Sequence, residues 1–444
     1  YQGSRIFNWV AELSGLAVDQ VNFVIAQFSA LALSSVFRTV LHPSKSSPAI
    51  RHVFGLLCGL IIGFFCFGNQ AIHIAGLPAL CYIFICTLNP NIMQRVVLAV
   101  ALVYLSCLHL HRQVYDYASC SLDITGPLML ITQKITSLAY SIHDGAKQES
   151  ELTKNQLKYA VKQIPTALEY FSYMFHFPVL MAGPLVFYTD YMDFIHGTQI
   201  VLEPSPSVVV FKKVNVAILC AIVYVKLIPM FPIQVIKDND FIEKMSLAYK
   251  FWYLTIATML VRFKYYFAWI LADAICNNSG FGFNGYKADG SAKWDLISNI
   301  DIFKFECSLS LRDSIEAWNI GTNKWLRMTV YERTKNYSTV FTYALSALWH
   351  GFYPGYYLTF ANGALFTFAS RSMRRTLRGY FTGSSKSKFV YDMMTAVTTR
   401  FVMPYITFPF VVLEFWPSIR FYLHMYLCLH LMALAALYVV PRII

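Results

Sequence analysis

Charge is what this sequence has least of: 14% of its 444 residues are Asp, Glu, Lys or Arg, against about a quarter in a soluble globular chain. So little charge, beside 57% hydrophobic and 16% aromatic residues, cannot supply a single water-facing surface. Apolar stretches recur from end to end, so the second solvent is lipid and not one large core. Cysteine pairs are missing as well. The ten cysteines are scattered singly, and Cys58, Cys66, Cys81, Cys107 and Cys220 lie inside apolar runs without CxxC spacing, which argues against a disulfide framework and a zinc site. No internal repeat or matched pair of broken helices, the pattern of many transporters, is present. No strand precedes the turn-rich stretch from Gly280 to Gly290, so it has no phosphate-binding context. The first apolar run, from Val21 to Val40, is followed by no small-residue cleavage site and is expected to remain in the bilayer as an anchor.

The net charge of +12 is carried by Lys and Arg gathered into short segments between apolar runs. That pattern fits cytoplasmic loops and anionic headgroups better than nucleic acid. Candidate spans lie near 21–40, 53–68, 70–88, 93–111, 170–187, 208–232, 246–272, 338–350, 352–369, 389–413 and 421–441. Several are too short to cross alone and should be tilted, broken or re-entrant. The expected fold is an all-α polytopic membrane protein, one membrane domain over 1–444 with polar loop regions near 144–166, 275–337 and 371–388. The first of these reads as a solvated amphipathic loop helix ending at Pro165. The last carries Arg371, Arg374, Arg375, Arg378, Lys386 and Lys388 and no acid, a solvated topological determinant on the cytosolic side in preference to a ligand site. Within 128–142, Thr132, Thr136 and Tyr140 recur four apart beside Gln133, Ser137 and Ser141. This narrow polar stripe reads as hydrogen-bonded helix packing in preference to the lining of a polar tunnel.

An ionisable group costs a few kcal/mol at the bilayer centre, so each one there calls for a reason. His350 stands at the end of the apolar run from Thr339 to Trp349, just before Gly351, Pro354 and Gly355. These residues should break the helix and leave the imidazole beside uncapped backbone groups. An imidazole so placed is either a packed, hydrogen-bonded residue or a general base for activating a hydroxyl. His109, His111, His424 and His430 take the packed reading. A second constellation runs from Trp318-Asn319 through Lys324, Trp325 and Arg327 to Arg333. Two tryptophans seven apart would share one helix face, and an amphipathic helix at the membrane surface accounts for the aromatics and cations. It accounts less well for the uncharged Asn319.

Trp318-Asn319 and the string Leu345 to Gly351, with Asn319 and His350 thirty-one positions apart, resemble the signature of the membrane-bound O-acyltransferase family. Further strings resemble its lysophospholipid acyltransferase 1 and 2 branch. They are Asp19 to Phe23, Thr132 to Thr136, His143 to Gly145, Ala182 to Leu185, Lys264 to Trp269, Trp294 to Asn299 and Tyr353 to Tyr357. One departure is Gly321, where that branch commonly has Gln.

The resemblance implies a multi-pass endoplasmic-reticulum enzyme with about eleven membrane helices around a central reaction chamber. Acyl-CoA, a co-substrate and not a resident cofactor, would enter from the cytosol, and a lysophospholipid would enter from the bilayer. The family's histidine and asparagine carry over onto His350 as base and Asn319 as the group that holds the thioester oxygen or the acyl chain. Lys324, Arg327 and Arg333 are the candidate cations for CoA phosphates, with Trp318 and Trp325 near adenine or pantetheine; lipid anchoring alone would explain all five. No metal is expected. The branch favours lysophosphatidylethanolamine, then the serine or choline lysolipids, and an oleoyl chain. The rival classes are a family member acylating a peptide or secreted protein, a transporter, and a non-catalytic membrane protein. The oligomeric state is left open.

Overall fold

The computed structural model describes residues 1–119, 121–198 and 204–443. The described chain is helical apart from loops, and most of its longer helices follow the apolar runs. They are α1 (Val18–Thr39), α2 (Pro48–Phe67), α3 (Ala71–Thr87), α4 (Pro90–Tyr115), α5 (Thr125–Gly145) and α6 (Ser207–Leu227). They continue with α7 (Leu247–Ser279), α8 (Ile320–Thr329), α9 (Ser338–His350), α10 (Pro354–Leu377) and α11 (Ser385–Val412). Local chemistry sets their ends. Ser47 and Asn89 cap α2 and α4 with their side-chain oxygens, each followed by proline in the first turn, where the missing N–H costs nothing.

Among the described residues, six stretches are long and apolar enough to cross a bilayer. Two of them run on through short 3-10 turns, joining α2 to α3 over Pro48–Thr87 and extending α6 to Lys237. A seventh forms if Phe415–His424 and Cys428–Ile443, bent by 78°, act as one broken span. This is the polytopic membrane protein expected, and the 421–441 stretch is interrupted between His424 and Cys428. The remaining expected spans correspond to shorter or more polar elements. The 338–350 stretch is the 13-residue α9, and 352–369 falls in α10, whose 24 residues include Arg371, Arg374 and Arg375.

The expected span at 170–187 is not a membrane helix. It folds as Ala167–Met174 and the four-residue Phe177–Leu180 with non-helical connections. Tyr170, Tyr173, Met174, Phe175, Phe177, Val179 and Leu180 are each at most 2% exposed. The apolar run is core, covered by protein, and its irregular backbone is tolerated for that reason.

The chain gathers into two compact units. One comprises Tyr1–Ala217, Ala268–Asn299 and Ile320–Lys335, and the other Ile218–Phe267, Ile300–Asn319 and Asn336–Ile444. In the first, α5 is the central element, with 17 of its 21 residues buried. Its polar stripe holds neighbours together. Gln133 Nε2 donates to Thr322 Oγ1 at 2.8 Å, and Lys134 Nζ donates to the Tyr173 carbonyl at 2.8 Å, closing the end of Ala167–Met174. Past the end of α5 at Gly145, the polar loop 144–166 holds a 3-10 turn at Glu149–Glu151 and a short α-helix over Lys154–Tyr159, where Thr153 and Gln156 form a capping box.

In the second unit α9, α10 and α11 pack together. Gly355 lets α10 approach α11 closely, since a Cβ there would stand 2.0 Å from the Pro409 carbonyl oxygen. His430 takes the packed role expected of it. Its Nε2 lies 3.0 Å from Asn362 Oδ1 and its Nδ1 2.7 Å from the Tyr405 hydroxyl, while Tyr422 bridges Asn362 and the Tyr405 carbonyl.

Candidate active site

The helix break expected after His350 is present, and its cause is local. Helix α9 ends on His350, and Gly351 follows at φ 113°, a conformation that a side chain would strain. Its N–H returns to the Ala347 and Leu348 carbonyls, and α10 starts at Pro354. The half-buried His350 ring is enclosed by aromatic groups. Phe360 stacks on it with centroids 5.2 Å apart, Phe410 meets it edge-on at 5.0 Å, and Tyr356 lies at 5.7 Å.

Asn319 occupies a second break. Leu311–Ala317 ends, Trp318 is extended, and Asn319 adopts φ 47° before α8 begins at Ile320. Asparagine is among the few residues that visit this left-handed region readily, so its backbone supplies a reason for an amide that sequence reasoning did not find. Both Asn319 and His350 belong to the second unit.

This break corrects the expectation that Trp318 and Trp325 share a helix face. Trp318 packs against Tyr265, Tyr266 and Phe305, at centroid distances of 5.7, 6.0 and 5.0 Å. Trp325 lies on α8 in the first unit, is fully buried, and donates from Nε1 to Thr136 Oγ1 at 2.9 Å. Helix α8 is therefore seated on α5 by its Trp325 face. Its first turn is pinned by Asn299, whose carbonyl accepts from Ile320 N at 2.8 Å and whose Oδ1 accepts from Gly321 N at 2.9 Å. A Cβ at Gly321 would stand 2.9 Å from Leu185 N, which gives the departure at this position a steric basis.

The candidate cations differ sharply in what they already hold. Arg333 places Nη1 and Nη2 at 2.8 and 2.6 Å from the two oxygens of the fully buried Asp144. Its Nε donates to the Met328 carbonyl, and the guanidinium lies 4.5 Å from the centre of the Tyr140 ring. Arg327 is exposed and bonds Glu332 at 2.9 Å. Glu332 also accepts from Asn155 and Thr153. Burial acts to raise this carboxyl, but the hydrogen bonds from Asn155, Arg327 and Thr153 outweigh it and hold the group below its ordinary range. Lys324 is exposed and, among the described residues, makes no ion pair.

A lipid-embedded helical protein with an imidazole at one helix break and an amide at another, in one compact unit, has the groups of a membrane transfer enzyme. The comparisons define which kind. A sequence model of the membrane-bound O-acyltransferase family matches residues 112–410. The chain is 54% identical to lysophospholipid acyltransferase 6 of Drosophila melanogaster, over all of this chain and 64% of that protein. It is 38% identical to membrane-bound glycerophospholipid O-acyltransferase 1 of Mus musculus, over 99% of this chain and 93% of the relative. Against membrane-bound glycerophospholipid O-acyltransferase 2 of Homo sapiens it is 41% identical, over 99% and 88%. The chain belongs to the membrane-bound O-acyltransferase family and is, by that membership, an O-acyltransferase.

Proposed function

We propose that this protein transfers a long-chain acyl group, oleoyl by preference, from acyl-CoA to the free glycerol hydroxyl of a lysophospholipid. The acceptor is lysophosphatidylethanolamine first, then the serine or choline lysolipid. The observation that carries the reading is similarity of 38% and 41% over 99% of the chain to relatives named for glycerophospholipid acylation. His350 accepts the hydroxyl proton as the oxygen attacks the thioester carbonyl. Asn319 donates its amide N–H to the carbonyl oxygen as negative charge grows there, where one such donor contributes roughly 3 kcal/mol. The C–S bond breaks, the ester forms, and the proton passes to the CoA thiolate. No acyl-enzyme is needed, since a bound acceptor attacks the thioester directly.

Around this pair we place about eleven membrane segments, counting the shorter helices, that enclose a reaction chamber within one membrane domain of the endoplasmic reticulum. Lys324 and Arg327 are the cations best placed to meet CoA phosphates, because their surfaces are exposed, whereas Arg333 is spent on Asp144. The direct experiment supplies the purified protein with oleoyl-CoA or arachidonoyl-CoA and a panel of lysophospholipids, with a peptide acceptor beside them. Label entering diacyl phospholipid is expected, and label entering only the peptide would overturn the reading. Lys324→Ala with Arg327→Ala should raise KM for acyl-CoA alone.

A further inference from the structure

The geometry points to Glu306 as a positioning residue for Asn319, acting through Arg262, Tyr266 and Trp318. This rests on the reading of Asn319 as a catalytic donor. A left-handed residue persists only where its surroundings over-determine it. On the N-terminal side of Asn319 the neighbour is Trp318, whose ring is held by Tyr265, Tyr266 and Phe305. One of those three rings is tied directly to a carboxylate, and a second belongs to the residue beside it in the chain. The Tyr266 hydroxyl donates to Glu306 Oε1, and Phe305 immediately precedes Glu306.

Arg262 completes the arrangement. Its Nε and Nη2 reach the two Glu306 oxygens at 2.8 and 2.9 Å, and its guanidinium lies 5.3 Å from the Phe305 ring centre. Arg400 donates to the carbonyls of Phe305 and Glu306 and so holds the backbone beneath them. At the other end of the segment Asp301 N donates to the Ala317 carbonyl at 3.1 Å, one residue before Trp318.

Apolar contacts alone would let these rings slide, because burial has no preferred direction. A two-pronged guanidinium–carboxylate pair fixes orientation as well as distance. The Arg262 and Glu306 side chains retain only 15% and 27% of their exposure, and a desolvated pair of this kind adds little net stability. Its consequence is geometric. Glu306 sets the plane of Tyr266 and the seat of Phe305, these set Trp318, and Trp318 sets the direction from which the Asn319 amide projects.

The test compares purified Glu306→Asp and Tyr266→Phe with the parent, each alone and in an Asn319→Asp background. Asn319→Asp keeps a residue tolerant of the left-handed region and removes the amide donor. Glu306→Asp should lower kcat about tenfold, since small misplacements of an acting group are costly, with KM for both substrates within about twofold. Tyr266→Phe keeps the ring on Trp318 and should lose about threefold. In the Asn319→Asp background neither change should lower kcat further, because the group being positioned is gone. Equal fractional losses in both backgrounds, or full activity of both single variants, would overturn the proposal and leave Asn319 untouched. Full activity of Asn319→Asp would overturn the catalytic reading of Asn319, and this proposal with it. If Glu306→Asp is not monodisperse, Tyr266→Phe carries the same comparison.

Discussion

Helices α5 and α6 invert the usual relation between polarity and burial. The first holds Thr132, Gln133, Lys134, Thr136, Ser137, Ser141 and Asp144, and all of them are buried. The second belongs to the candidate span of highest mean hydropathy, yet only 17% of that window is buried, with Phe211 at 72% and Leu219 at 60% exposure. In water such an arrangement would be unstable. In lipid it is the low-energy solution, because apolar side chains gain nothing by leaving hydrocarbon for a protein interior, while polar groups must find partners inside. Polar side chains therefore mark what the protein holds together or reacts with, while apolar ones lie either in the protein interior or against the bilayer.

The comparison is sharpened most by the polar group assigned to chemistry. Changing His350 to Ala should lower turnover by 10²- to 10⁴-fold while detergent-solution monodispersity and acyl-CoA binding persist. A well-folded variant with near-normal acyl transfer would place the base elsewhere. Next comes an interior polar group that only holds structure. Arg333→Ala strands the Asp144 carboxylate, and a broken buried pair costs about 3–5 kcal/mol, so a large fall in thermal stability should accompany any loss of activity. An unshifted melting curve would mean that water reaches Asp144.

Thr136→Val is subtler, since it keeps the shape of the side chain and removes the acceptor of the Trp325 indole N–H. A stranded donor costs about 1–3 kcal/mol, and thermal unfolding should show that loss without a change in KM. Smallest of all should be Leu219→Ala on α6, within about 0.5 kcal/mol, because lipid replaces the missing contacts. A loss of several kcal/mol by the same measurement would show that protein, and not lipid, covers that face.

Much of the candidate site's local backbone was legible because its determinants are local. Gly351 and Pro354 announce the break that leaves His350 at a helix end, and the four-residue recurrence of Thr132, Thr136 and Tyr140 announces a packed polar face. The pairing of Arg333 with Asp144 was not legible, since 189 positions separate them and nothing in either neighbourhood names the other. The run at 170–187 misled for a related reason: an apolar segment reads the same whether lipid or protein will cover it. Trp318 and Trp325 were assigned to one face by assuming an unbroken helix, and one left-handed residue between them removes that premise.

By itself the sequence determined the solvent, through the length and recurrence of its apolar runs, and it placed an imidazole next to residues that stop a helix. Those are properties of short windows, set by hydrophobicity and backbone sterics. Only the tertiary structure decided which cations are already paired, that Trp325 is interior, and that Asn319 turns left-handed beneath a carboxylate-braced aromatic cluster. Such outcomes depend on groups distant in sequence, because a buried charge or a strained dihedral is stable only with a specific partner, and folding alone brings that partner near.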